Sequence, residues 1–157
     1  MKNWRQFWDS ENASLIIEFA LLFPVYLAFL FAIFEIGRFM LVAGLIDYGL
    51  GITSGRVFQA VSQAQTYNPV TIAQQDLTQY SFNLFVPVAA SVSVTAPAPG
   101  SKQALIRRQT VSFGANGPSL DVVNVTYVQT IPSQFLRDFL RIPEMRLRAS
   151  MGVPITQ

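Results

Sequence analysis

Residues 14–36 read SLIIEFALLFPVYLAFLFAIFEI, and this stretch decides the architecture of the chain. As a helix, about 23 residues extend roughly 34 Å, slightly more than the hydrocarbon core of a bilayer. No charged side chain lies between Phe19 and Phe34, where Tyr26 carries the only hydroxyl group. A buried core helix of a soluble protein is the alternative, but these residues have neither a charge nor the polar face that a helix at the surface of a soluble domain carries. The stretch therefore predicts one transmembrane helix.

A cleaved secretory signal is the alternative, because the stretch lies near the N-terminus and follows Lys2 and Arg5. However, the apolar run is longer than the hydrophobic region of a typical signal, and Asp9 and Glu11 dilute the basic leader. We therefore expect the helix to stay attached, with residues 1–13 as a cytoplasmic leader.

The orientation of the span follows from the bulk of the chain on either side. Lys2 and Arg5 before the span are matched by Arg38 and Arg56 after it, so the positive-inside rule gives little guidance. About 13 residues precede the span, whereas most of the polar chain follows it. We expect a cytoplasmic N-terminus and an exported, periplasmic domain at residues 66–157.

Composition excludes several classes of function. The chain has 157 residues, no Cys and no His, which removes disulfides, thiol nucleophiles, the usual zinc ligand sets and the commonest general base. The net charge of +2 comes from scattered basic residues, so nucleic acid is not an expected partner. Lys2 and Lys102 are poorly placed as bases for a serine nucleophile. We expect a protein that is not an enzyme and that carries neither metal nor cofactor.

The residues around the start of the span resemble a known processing site. A short hydrophilic leader, a small residue, four further residues, and then Glu and an aromatic residue are typical of type IV pilin precursors; here these are Ala13, Ser14 to Ile17, Glu18 and Phe19. The longer block ASLIIEFALLFPVYLAFLFAIFEIGRFML is similar to the N-terminus of the TadE-like pseudopilins of the tight adherence, or Flp-type, pilus. It shares their Glu-Phe-Ala-Leu-Leu sequence, the proline after an apolar pair, and the Glu-x-Gly-Arg sequence at the end of the span.

The resemblance implies that a membrane-embedded aspartyl prepilin peptidase cuts between Ala13 and Ser14 on the cytoplasmic face. It also implies that Glu18 and Phe19 act in assembly, with other pilin and pseudopilin subunits and pilus assembly platform proteins as partners. Pilin precursors usually carry Gly before the cut, whereas this chain has Ala13. Slow or absent processing is therefore the open alternative.

The position of Glu18 also needs a physical explanation, because placing a carboxylate inside a membrane span costs a few kcal/mol of insertion free energy. Cleavage would create an α-amino cation at Ser14, and pairing at ~4 Å offers about 4 kcal/mol before desolvation is subtracted. Residues 14 and 18 lie roughly 6 Å apart along one helix, so the pair could also form between subunits. The alternative is a protonated carboxyl group, or one that reaches the headgroups.

The helix is expected to continue beyond the span as an extension over residues 37–65. Pro24 removes one helical hydrogen bond and marks a kink site. Gly37, Gly44 and Gly51 recur at seven-residue spacing and so share roughly one face, where another helix could approach closely. A flexible or melted stretch is the alternative that glycine content leaves open.

The remaining residues predict a small α+β domain. A turn is expected at Thr66 to Pro69, followed by a short helix within Ile72 to Phe85. Alternating patterns predict antiparallel strands, three or four in number, with the long hydrophobic helix packed on one face of the sheet. The expected strands are near Val92 and Val94, from Leu105 to Phe113, from Val123 to Ile131 and from Met145 to Met151, and a crossover helix is expected at PSQFLRDFL, with Phe135, Leu136, Phe139 and Leu140 on one side.

Six arginines occur in this domain and raise the possibility of an anion-binding surface: Arg107, Arg108, Arg137, Arg141, Arg146 and Arg148. Their spacing is also what solvated faces of a helix and of strands ordinarily show, and that is the interpretation we adopt from sequence.

The combined expectation is a bitopic protein of a bacterial inner membrane that serves as a structural minor pseudopilin of a tight adherence pilus. The alternative is a permanently anchored periplasmic binding or scaffold module of a secretion or pilus assembly complex.

Overall fold

A computed structural model describes residues 11–63, 65–90, 97–98, 100–113, 119–130, 137–138, 141 and 144–154. The chain divides into two compact units, Met1–Gly37 and Arg38–Gln157. The fold is α+β, as the sequence predicts. Its elements are α1 (Glu11–Ser62), α2 (Pro69–Tyr80), β1 (Val86–Ala89), β2 (Gln103–Ser112), β3 (Ser119–Thr130) and β4 (Glu144–Pro154).

Helix α1 continues as one helix through Pro24 and through every glycine up to Gly55. It ends at Ser62, close to residue 65, where the expected extension ends. The glycines therefore do not interrupt the helix, although each costs about 1 kcal/mol of intrinsic helix propensity relative to Ala. Packing of one face of α1 in the C-terminal unit offsets this cost.

Helix α2 begins earlier than the sequence pattern predicts and ends sooner. The side chain of Asn68 accepts a hydrogen bond from the backbone N–H of Val70 at 3.0 Å, and Pro69 occupies the first turn, where a missing N–H costs nothing. The helix ends at Tyr80 because Phe82 and Asn83 adopt positive φ angles of 47° and 60°.

The four strands form one sheet in the order β1-β2-β3-β4. Strands β2, β3 and β4 are antiparallel neighbours, as expected, but β1 runs parallel to β2. The expectation of a purely antiparallel sheet is therefore wrong, and the sheet is mixed. Parallel neighbours cannot be joined by a hairpin, because both strands begin at the same end of the sheet. Gly100, which precedes β2, has a φ of 79°.

Strand β1 was not expected, because it is short and contains Pro87. A proline is tolerated there because β1 lies at the edge of the sheet, where one side of the strand forms no ladder. The strand expected near Val92 and Val94 lies outside the described residues. So do Phe135, Leu136, Phe139 and Leu140 of the expected crossover helix, although Arg137 and Asp138 within it are helical.

The core of the C-terminal unit lies between the helices and one face of the sheet. The register pairs Ile106 with Val125 and Val125 with Ala149, so these side chains project from the same face. The ring centroids of Phe85 and Tyr127 lie 6.2 Å apart. Complete burial of an aliphatic side chain contributes about 1.5–3 kcal/mol. The fully buried apolar residues include Val42, Ile46, Val57, Ala73, Leu77, Ala104, Ile106 and Val123.

Asp76 of α2 connects the two helices through a buried polar network. The hydroxyl of Thr53 lies 3.0 Å from Oδ2 of Asp76 and 2.9 Å from the carbonyl oxygen of Gly49, and Arg56 forms an ion pair with the same carboxylate. Asp76 is buried, whereas the side chain of Arg56 is half exposed. The network gives a buried carboxylate the partners that it requires and so fixes α2 against α1.

Gly49 allows α1 and α2 to approach closely. A Cβ atom at this position would lie 2.7 Å from Cδ2 of Leu77, which is fully buried in the core. A Cβ atom at Gly51 would meet no other atom within 4 Å. The two glycines therefore have different structural roles although they are only two residues apart.

We predict opposite effects from alanine at these two positions. Gly49→Ala should lower the free energy of unfolding by about 1–3 kcal/mol, because Leu77 is buried and cannot move aside freely. Gly51→Ala should raise it by about 0.5–1 kcal/mol through helix propensity. Denaturant unfolding of the purified full-length chain in nonionic detergent measures both values. Equal effects of the two substitutions would contradict the close approach at Gly49.

Candidate functional site

The N-terminal unit presents an exposed apolar surface. Phe19 is 63% exposed and Leu21 is 73% exposed, and most large side chains from Leu15 to Ile36 are similarly uncovered. Only 6% of the most apolar 18-residue window is buried. Residues 14–62 form the helix that is long and apolar enough to cross a membrane among the residues described. A helix this exposed is not the core of a soluble domain, and lipid or other apolar helices can cover it.

The predicted cleavage bond lies at the N-terminal end of α1. Ala13 and Ser14 both have helical backbone, and Ser14 is exposed. The first turn of a helix has backbone N–H groups without intrahelical partners and opens most readily. A peptidase that binds its substrate in an extended conformation can therefore reach this bond once the first helical turn has unfolded.

Glu18 is exposed and lies one helical turn after Ser14. Within the described part of the chain, its carboxylate has no hydrogen bond or ion pair. Its neighbours on the same side of the helix include Leu15, Leu21 and Leu22, which are all exposed apolar residues. The geometry therefore leaves the carboxylate available to a cation outside the helix.

Phe19 and Pro24 lie on the same stretch. The ring of Phe19 packs against that of Phe23, with centroids 5.8 Å apart. Pro24 lies inside α1 and cannot donate a hydrogen bond to the carbonyl oxygen of Ala20. Gly37, the last residue of the N-terminal unit, is also exposed, and a Cβ atom there would meet nothing within 4 Å.

A second exposed surface lies on α1 within the C-terminal unit. Its residues follow an alternating spacing of three and four, and we name it the glycine seam. Tyr48 and Phe58 are 58% and 67% exposed, and a Cβ atom on any of its glycines would meet no atom within 4 Å. The seam consists of Leu41, Gly44, Tyr48, Gly51, Gly55 and Phe58.

The glycine seam lies on the side of α1 opposite to the core. Val42, Ile46, Thr53 and Val57 are buried, and at 100° per residue they point about 180° away from the seam. The ring of Tyr48 makes an edge contact with that of Tyr80, with centroids 5.3 Å apart. Packing of the buried face thus holds the seam outward in a fixed orientation.

The residues predicted from the sequence lie along one helix and do not form a pocket. Gly44 and Gly51 belong to the seam, but its large residues were not predicted to belong to it. Their signal was available, because Leu41 and Tyr48 lie seven residues apart, as do Gly51 and Phe58, which is the spacing of a heptad. Gly49 was also missed as a packing residue, since the sequence does not show that Leu77 covers it.

Comparison with models of protein families shows which family this helix resembles. The model described as TadE-like protein matches residues 13–49. The N-terminal segment is TadE-like. The recognition made from the sequence is therefore confirmed, and the match covers Ala13, Glu18 and Gly44 but none of the sheet. No curated protein and no solved structure matches the chain.

The TadE-like match supports involvement in the assembly of a tight adherence pilus. Together with the apolar helix, it supports attachment to a membrane and contact with pilus or membrane components.

Proposed function

We propose that this TadE-like chain is a minor pseudopilin with a structural, non-catalytic role in a tight adherence pilus. Prepilin peptidase removes residues 1–13, and the processed chain joins other pilin and pseudopilin subunits through α1, with pilus assembly platform proteins as further partners. The observation that carries the proposal is the exposed apolar helix with a lone carboxylate one turn after the predicted bond.

The charge of Glu18 explains how a processed chain would be held in register. Cleavage leaves a cationic amino group at Ser14, and the helix geometry places this group roughly 6 Å along the axis from Glu18. A carboxylate and an ammonium group brought to ~4 Å attract by about 4 kcal/mol at an effective dielectric constant near 20. Pairing between neighbouring subunits would bring the charges closer than one straight helix does and would set the axial position of each subunit.

The glycine seam supplies a surface for lateral packing. Glycines permit close approach of another helix, and the large side chains of one seam can insert into the gaps that the glycines of another leave. Gly37 extends the same seven-residue repeat in sequence. We propose that the seam and the apolar surface of the N-terminal unit contact helices of other subunits.

The proposed location is a bacterial inner membrane, with the N-terminus in the cytoplasm and residues 66–157 in the periplasm. The size of the domain after the span supports this orientation. Because prepilin peptidase acts on the cytoplasmic face, cleavage at Ala13 would also support it.

The first prediction for this function concerns processing. Ala13→Gly should be cut at least as fast as the wild-type chain, because Gly is the residue that pilin precursors usually carry before the cut. Ala13→Leu should accumulate as full-length precursor, because a bulky side chain at the cut obstructs the peptidase. Mass spectrometry of membrane-extracted protein and N-terminal sequencing distinguish the forms. If both wild type and Ala13→Leu remain uncut, the permanently anchored module becomes the better account.

The second prediction concerns Glu18 after processing. Glu18→Ala should be cut normally, because the residues beside the bond are unchanged, and insertion should become easier as an acid leaves the span. Assembly should fail, because loss of one partner of a buried ion pair costs about 3–5 kcal/mol. Glu18→Gln is the matched variant, since it keeps the shape and removes the charge. Pilus yield and co-purification of subunits measure the effect.

Normal assembly of Glu18→Gln would contradict charge pairing and favour a protonated or headgroup-reaching carboxyl group. Failure of cleavage in either variant would instead show that Glu18 acts on the peptidase.

A further inference from the structure

The turn between α2 and β1 exposes an aromatic side chain. The backbone N–H of Leu84 donates a hydrogen bond of 2.9 Å to the carbonyl oxygen of Ser81, which closes the turn. Phe82 and Asn83 occupy its two central positions, and both have positive φ angles. Asparagine adopts this conformation readily, whereas a bulky residue rarely does. Phe82 is nevertheless 73% exposed, so packing in the core does not explain an aromatic residue at this position.

The turn lies toward the end of the C-terminal unit at which α1 enters it. Later residues of α2 contact earlier residues of α1, because Asp76 bonds to Thr53 and the ring of Tyr80 contacts that of Tyr48. The two helices are therefore antiparallel. The turn that follows Tyr80 lies on the side of Tyr48 that faces the start of the unit.

The exposed surface of α1 changes from apolar to charged along this same part of the helix. Arg38, the first residue of the C-terminal unit, directly follows the unit that carries the apolar span. Met40 and Leu41 are exposed, so the apolar surface continues beyond Arg38. The next charged residue is Asp47, which is also exposed. A helix that crosses a bilayer with this surface leaves the lipid between Arg38 and Asp47, beside the turn.

Two further groups next to the turn suit a lipid interface. Val86, the first residue of β1, is exposed, and its backbone N–H donates a hydrogen bond to the carbonyl oxygen of Lys102. Lys102 is itself exposed. A lysine can lay its methylene groups on apolar surface while its ammonium group faces lipid phosphates. Exposed apolar side chains beside a cation are typical of segments that bind at the surface of a membrane.

We propose that the turn carrying Phe82 inserts into the headgroup region of the bilayer beside the span. Phe82 and Val86 contact the upper part of the acyl chains, and Lys102 faces the headgroup phosphates. The C-terminal unit is then held at the membrane by a second contact besides α1. The proposal requires that α1 crosses a bilayer, but it is independent of cleavage, of the direction of the span and of assembly into a pilus.

The opposite end of the sheet offers a matched control position. Nε2 of Gln74 in α2 donates a hydrogen bond of 3.4 Å to the carbonyl oxygen of Pro87, so β1 runs back along α2, away from the turn. Strand β2 is parallel to β1, and Phe113 follows its far end, about 33 Å along the strand from Gln103. Phe113 is 62% exposed and so matches Phe82 in residue type and in exposure.

The test measures quenching of a single tryptophan by brominated phospholipids in liposomes that contain the purified full-length chain. Trp4 and Trp8 are replaced by Phe in every variant, because they are the two tryptophans of the chain. Lipids brominated in the upper part of the acyl chain should remove roughly half of the fluorescence of Phe82→Trp, because the indole ring would lie among them. The fluorescence of Phe113→Trp should fall by less than about a tenth, because this position lies far from the lipid.

Val86→Trp is a second probe, which leaves the turn itself unchanged and should be quenched as Phe82→Trp is. Absence of quenching at both positions would overturn the proposal. Equal quenching of Phe82→Trp and Phe113→Trp would also overturn it, because the C-terminal unit would then contact lipid without a preferred face. A blue-shifted emission of Phe82→Trp without quenching would overturn it as well, because a second copy of the chain, and not lipid, would then cover the turn.

Discussion

Burial of one face of α1 within residues 38–157 is the constraint on which the C-terminal unit depends. Val42, Ile46 and Val57 fill the core beside the sheet, and the absence of a side chain at Gly49 lets Leu77 of α2 approach the helix. Asp76 then completes the contact through Thr53 and Arg56. Because packing fixes this face inward, it also fixes which residues of α1 face outward.

The outward residues are unusual for a soluble domain. A solvated helix face normally carries charged side chains, whereas the glycine seam consists of three glycines together with Leu41, Tyr48 and Phe58. Between Leu15 and Gly37 the only charged residues are Glu18, near the start of this stretch, and Glu35, near its end. In the proposed function, lipid covers this helix before assembly and other helices cover it afterwards. In the same proposal, a carboxylate is tolerated there because assembly supplies its cation.

The sequence predicts the elements whose patterns are long and local. The span follows from hydropathy, and β3 and β4 follow from strict alternation, as in Val123, Val125 and Tyr127. The pattern of β2 is weaker, although a strand was expected there too. Strand β1 was missed because four residues with a proline carry little pattern, and its parallel direction depends on a connection between distant residues. Similarly, nothing local distinguishes Gly49 from Gly51. Their roles depend on which neighbours the fold brings to them.

Photo-crosslinking along α1 tests most directly whether its outward face joins the chain to other subunits. The chain has no Cys, so a single cysteine can carry the photoactivatable group without competing sites. Labelled Gly51→Cys should crosslink to pilus subunits in assembled material, because Gly51 lies in the seam. Labelled Ser112→Cys, which is exposed at the end of β2, should not. Crosslinks from residue 112 and none from residue 51 would contradict the account.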